Sequence, residues 1–96
     1  MRLRDRLPEL REQIVSVAAA CGASNVRMFG SVARGEENDE SDLDLLVMLE
    51  PGRSLLDLVR LEDRLEQLLG LPVDVVTESS LLEPIRSRAL RDAIHV

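Results

Sequence analysis

Residues 30–44 read GSVARGEENDESDLD, a Gly-Ser pair, ten further residues, and then Asp-Leu-Asp. Gly30 and Ser31 follow the short segment VRMF at 26–29, and Asp42 and Asp44 lead into the apolar run LLVML at 45–49. A tight glycine turn passing into a helix offers backbone N–H groups to a phosphate. Two aspartates at i and i+2 on a strand point to one face and can share a divalent metal. A phosphate cradle beside a magnesium clamp implies nucleotide chemistry.

The elements around this stretch follow from spacing. Leu3, Leu7, Leu10, Ile14, Val17 and Cys21 recur at intervals of three and four, one face of a helix that Gly22 ends, with Pro8 expected in its first turn. Residues 26–29 form a short strand with Phe29 as a core residue, and residues 31–34 the first turn of a brief helix closed by Gly35. Residues 36–41 (EENDES) form a polar loop, and a second metal site there is a weaker reading. The continuous apolar run at 43–49 predicts a strand buried on both faces.

After the Pro51-Gly52 turn, Ser54 and Asp57 have the spacing of a capping box. The following helix carries Leu55, Leu58, Leu61, Leu65 and Leu68 as an apolar stripe, joined by Leu56, Val59 and Leu69, and stops at Gly70. Residues 71–76 (LPVDVV) form a third strand, and residues 82–94 a last helix or pair of turns with Ile85, Ala89, Leu90 and Ala93 on the apolar side. The order is α-β-α-β-α-β-α, with no repeat and no linker, which for 96 residues predicts one domain spanning 1–96.

Composition narrows the function. The net charge of −6 argues against a dedicated nucleic-acid binder, whose phosphate contacts need a basic patch. One aromatic residue, Phe29, leaves base stacking nearly unavailable. The lone Cys21 excludes an intrachain disulfide and, on an apolar helix face, reads as core. The charged start MRLRDRLPEL lacks a signal core, and no run approaches the ~20 apolar residues of a membrane span. A cytoplasmic protein with no membrane partner is expected.

Asp74 stands alone among the valines of the third strand. A charge there is costly unless it is paired, bound to metal, or turned to an open edge. If its strand neighbours that of Asp42 and Asp44, three carboxylates converge and Mg²⁺ relieves their repulsion. Asp42 and Asp44 would then hold the ion that grips the nucleotide phosphates. All three would hold a second ion at the attacking hydroxyl, with Asp74 placed to take its proton. Gly30 and Ser31 would hold the terminal phosphates. Arg34 either neutralises phosphate charge or pairs with Glu36 or Glu37. Ser31 also suits a helix cap, and His95 a solvated position.

The Gly30-Ser31 pair ahead of Asp42-x-Asp44 resembles the pattern of the nucleotidyltransferase superfamily that includes DNA polymerase beta, and GSVARG, SDLDLLV and VDVV have the order and spacing of its minimal members. The whole chain, through its final EPIRSRALRDAIHV, resembles the minimal nucleotidyltransferase (MNT) proteins. The resemblance implies an α+β, polymerase beta-like fold, a small mixed β-sheet with helices packed on it. It implies a catalytic and metal-binding set of Asp42, Asp44 and Asp74, a nucleotide-binding pair of Gly30 and Ser31, and two Mg²⁺ ions with ATP as substrate. MNT proteins are commonly encoded beside a HEPN-domain ribonuclease toxin. The resemblance therefore implies an antitoxin that transfers AMP to a tyrosine of that partner.

Two other readings compete. A binding module would neutralise its partner by occlusion, its carboxylates being relics. A transferase acting on RNA ends or a small molecule would need the basic surface and substrate domain that this sequence lacks. Size alone permits a homodimer or a mixed complex with the toxin.

Overall fold

Leu7, Ile14 and Ala18 fall on one side of helix α1 (Leu3–Ala20) and are buried, as their helical spacing requires. The computed structural model describes residues 3–36 and 42–96; of the predicted polar loop, residues 37–41 lie outside these. Pro8 stands inside α1 rather than in its first turn. Leu7 is fully buried, so packing keeps that turn helical despite the N–H that Pro8 lacks. Gly22, at φ 76°, closes the helix by donating its N–H to the Ala19 carbonyl at 3.0 Å. Cys21 is buried beside it.

Strand β1 (Ala23–Phe29) starts earlier than its apolar pattern indicates, because a bulge between Ser24 and Arg27, with Asn25 at φ 51°, interrupts the alternation. Helix α2 (Gly30–Arg34) follows at once, and strand β2 (Leu43–Leu49) has the predicted bounds. Helix α3 (Leu55–Leu69) opens on the predicted cap. The Ser54 hydroxyl accepts the Leu56 N–H at 3.3 Å, and the Ser54 N–H donates to Asp57 Oδ2 at 3.0 Å. Strand β3 (Val73–Thr77) starts two residues later than the predicted 71–76, after Pro72, and a 3₁₀ turn (Glu78–Ser80) outside the predicted elements leads toward helix α4 (Ile85–Asp92).

The described residues form a four-stranded mixed sheet in the order β3-β2-β1-β4. β1 pairs antiparallel with β2, and β2 pairs parallel with β3. A parallel pair needs a crossover from one end of the sheet to the other, which α3 provides. The fourth strand, β4 (Ile94–His95), corrects the prediction that the last helix reaches residue 94. Helix α4 stops at Asp92, and Ile94 and His95 pair with Met28 and Arg27 of β1. His95 is exposed, as predicted.

α1 and α3 pack on one face of the sheet, where Val26, Met28, Leu43, Leu45, Val47, Val73 and Val75 join their buried residues in one apolar core. The stripe predicted for α3 splits. Leu58, Leu61, Leu65 and Leu69 are buried, whereas Leu55, Leu56 and Val59 are 76%, 67% and 52% exposed. At 3.6 residues per turn, Leu56 and Val59 point away from the buried row, and Leu55 lies in the first turn. Ile85 and Leu90 of α4 are likewise exposed, and only Ala89 of that helix is buried. Among the described residues no helix is long and apolar enough to cross a membrane.

Candidate active site

The sheet's second face carries alternate residues of the same strands. Register places Phe29 opposite Asp44, and Asp44 opposite Asp74. Neighbouring strands lie ~4.8 Å apart, and side chains at paired positions share a face. Asp44 and Asp74 are therefore adjacent on one side of the β2–β3 pair. Asp42, two residues before Asp44, immediately precedes β2 and is exposed. The register puts Asp74 beside Asp44, as the sequence reading required.

Electrostatics report the same proximity. Burial, and then the charges of Asp74 and Asp42, push the Asp44 carboxyl above its ordinary value, while Arg34 pulls it back. Like charges held close disfavour the ionised form. Among the described residues no three Asp, Glu, His or Cys side chains are gathered closely enough to hold a metal ion as they stand. The three carboxylates are thus neighbours that influence one another without closing on a common point.

Gly30 has two reasons to be glycine. Its φ of 74° is a left-handed conformation, and a Cβ there would come within 2.5 Å of Asp44 Oδ2. The backbone turn from β1 into α2 therefore lies directly against the carboxylate of β2. Ser31 sits inside α2 and does not cap it: the N-cap is Phe29, with no side-chain cap hydrogen bond. The first N–H groups of a helix have no partner within it, and here they belong to the turn beside Asp44.

Arg34 forms two ion pairs. Its Nε donates to Glu36 Oε2 at 2.9 Å and its Nη1 to Asp92 Oδ2 at 2.8 Å. Glu36 first, and then Asp92, hold its guanidinium more firmly protonated than usual. Glu36 is one of the partners that sequence spacing suggests; Glu37, the other, lies outside the described residues. Nothing local singles out Asp92, which is 58 residues away. Phe29, predicted as core, is only half-buried. It lines a cavity of about 190 Å³ with Gly30, Arg34, Ile85, Arg88, Ala89 and Asp92. Helix α4 lines one side of this open cavity beside the glycine turn, a neighbour that the terminal segment's sequence does not disclose.

Comparison with known proteins agrees with this geometry. The Nucleotidyltransferase domain family matches residues 5–96. The protein adenylyltransferase MntA of Thermococcus cleftensis is 43% identical over 88 residues, covering 92% of this chain and 82% of its own. MJ0435 of Methanocaldococcus jannaschii, whose name proposes a protein adenylyltransferase, is 41% identical over 88 residues, covering 92% of this chain and 95% of its own. A solved structure described as that of a proposed minimal nucleotidyltransferase superposes with a TM-score of 0.85 at 50% identity, over 97% of this chain and 95% of that one. A chain from a toxin–antitoxin structure with AMP-PNP shares the fold, with a TM-score of 0.68 at 17% identity over 96% of this chain and 70% of that one. The α+β architecture, the glycine turn set against an Asp-x-Asp strand, and a family match over nearly the whole sequence lead to one conclusion: this chain belongs to the nucleotidyltransferase domain family and is a nucleotidyltransferase.

Proposed function

We propose that this nucleotidyltransferase is an antitoxin that transfers AMP from ATP to a tyrosine hydroxyl of a HEPN ribonuclease toxin in the cytoplasm. The observation that carries the reading is the register of Asp44 beside Asp74 with Gly30 against the Asp44 carboxylate. The activity in the name of the 43%-identical MntA relative supports the acceptor class. The antitoxin role is supported by the fold shared with a chain from a toxin–antitoxin structure. The HEPN partner and its tyrosine come from the MNT resemblance.

The donor set suits Mg²⁺. Asp42, Asp44 and Asp74 supply hard carboxylate oxygens, and burial first, then the charges of Asp74 and Asp42, push the Asp44 carboxyl above its ordinary value, an arrangement that a bound cation would relieve. These carboxylates would hold Mg²⁺, one ion or two, which would supply neutralisation of phosphate charge and acidification of the attacking hydroxyl. In this reading Asp42 and Asp44 face the nucleotide phosphates. Asp74, exposed on its strand, accepts the tyrosine proton. The new bond joins tyrosine oxygen to the α-phosphorus, and the bond to pyrophosphate breaks. The Gly30–Ser31 backbone and the Ser31 hydroxyl hold the departing phosphates, with Arg34 adding positive charge at the same end.

The test is incubation with ATP labelled at the α-phosphate, Mg²⁺ and the purified HEPN neighbour. Label should reach the neighbour. Asp42→Ala with Asp44→Ala should lower the rate by about 10³-fold, ~4 kcal/mol of barrier, with the domain still folded by circular dichroism. Equal transfer by the double variant would remove the proposed site. Inhibition of the toxin without labelling would instead favour occlusion.

A further inference from the structure

Among the described residues β3 lies at the edge of the sheet, so alternate N–H groups point away from β2, toward no other described strand. An exposed edge of this kind is free to fray or to pair with another chain. Here the two outward N–H groups on either side of Asp74 are occupied. The Val73 N–H donates to Glu66 Oε2 at 2.9 Å, and the Val75 N–H donates to Glu62 Oε1 at 3.1 Å. Both carboxylates come from α3, whose Leu61 and Leu65 are fully buried under the sheet. The match is geometric. Four residues of helix rise ~6.0 Å and two residues of strand ~6.6 Å, so side chains at i and i+4 of an antiparallel helix meet alternate N–H groups of the strand.

We infer that Glu62 and Glu66 are positioning residues for Asp74. This rests on the catalytic reading of Asp74 given above. They act through the backbone: each holds one end of the Val73–Asp74–Val75 segment, and neither needs to touch substrate. A slip of one residue would turn Asp74 toward the apolar core and bring Val73 and Val75 to the site face. β3 has only five residues and, among the described residues, a single neighbouring strand, so its ladder with β2 alone gives limited resistance to local opening. A hydrogen bond to an ionised carboxylate is about twice as strong as a neutral one. The two glutamates thus replace the missing outer strand and keep Asp74 level with Asp44.

The full chain, Glu62→Ala with Glu66→Ala, and Glu62→Gln with Glu66→Gln should be compared for Mn²⁺ affinity by electron paramagnetic resonance and for amide exchange at Val73 and Val75. Loss of groups that orient a metal ligand commonly weakens metal binding ~10–100-fold. The alanine pair should lose affinity by about tenfold or more and exchange both amides faster. The glutamine pair keeps an oxygen acceptor and should stay within about threefold of the parent. Glu66→Ala alone gives the same comparison should the double alanine variant fail to fold. A folded alanine variant with parental Mn²⁺ affinity would overturn the inference, and so would a glutamine pair as weak as the alanine pair. Failure of the catalytic reading looks different: Asp42→Ala with Asp44→Ala would then leave Mn²⁺ binding unchanged.

Discussion

The two faces of the β2–β3 pair are built from alternate residues of the same strands, yet they obey opposite rules. On the core face Leu43, Leu45, Val47, Val73 and Val75 are nearly or fully buried against α1 and α3. On the other face Asp44 and Asp74 stand side by side in register, where burial and like charge both disfavour ionisation of Asp44. That face is not wholly polar. Leu46, two residues along β2 from Asp44, is fully buried, and the residue paired with it on β1, Arg27, forms an ion pair of 2.6 Å with Glu78. The contrast teaches that one strand alternation separates what folds the domain from what the proposed site uses. The first face favours stability, and on the second the environment of Asp44 opposes it.

Substitutions on each face sharpen the contrast. Leu45→Ala on the core face should cost about 2–5 kcal/mol, a large share of the ~5–15 kcal/mol available to a small domain. Urea unfolding measures it, and a loss below ~1 kcal/mol would show that the core face is not tightly packed. Gly30→Ala, at the junction with the second face, combines a left-handed φ with a 2.5 Å approach to Asp44 Oδ2. It should destabilise by ~1–2 kcal/mol and lower AMP transfer by displacing that carboxylate. Full transfer by Gly30→Ala would break the link between the glycine turn and the aspartate.

The smallest effect has the opposite sign. The folded Asp44 carboxyl lies above its ordinary value of 3.8, so the fold favours the protonated form. The stability this confers is complete below the unfolded pKa and is lost as pH rises through the folded one. Asp44→Asn keeps the side chain neutral and should raise the melting temperature at pH 7 without added metal. Asp44 is only partly buried, so solvent screening keeps the gain small. The gain should disappear near pH 3. A variant less stable than the parent at pH 7 would contradict the electrostatic contrast between the faces.

How much of this was legible depended on how local each signal is. The bounds of β2, the Ser54–Asp57 cap and the Gly70 stop are written within a few residues of where they act. Asp42, Asp44, Gly30 and Ser31 are legible for the same reason, and Asp74 stood out as a lone charge among valines. What required the fold were partnerships across the chain. β4 is two residues long and exists because β1 offers an edge. Asp92 meets Arg34 across 58 residues. The exposure of Leu56 and Val59 is set by which side of α3 meets the sheet. No local pattern singles out Glu62 and Glu66, whose partners are backbone N–H groups of β3.

The most direct test is a crystal structure with Mn²⁺ and a non-hydrolysable ATP analogue, using anomalous scattering to find the metal. The ion should lie among the carboxylates of Asp42, Asp44 and Asp74, with the analogue's phosphates on the Gly30–Ser31 turn. Metal density elsewhere, or an Asp74 side chain turned away from a nucleotide held by Asp42 and Asp44, would contradict the convergence of these three residues.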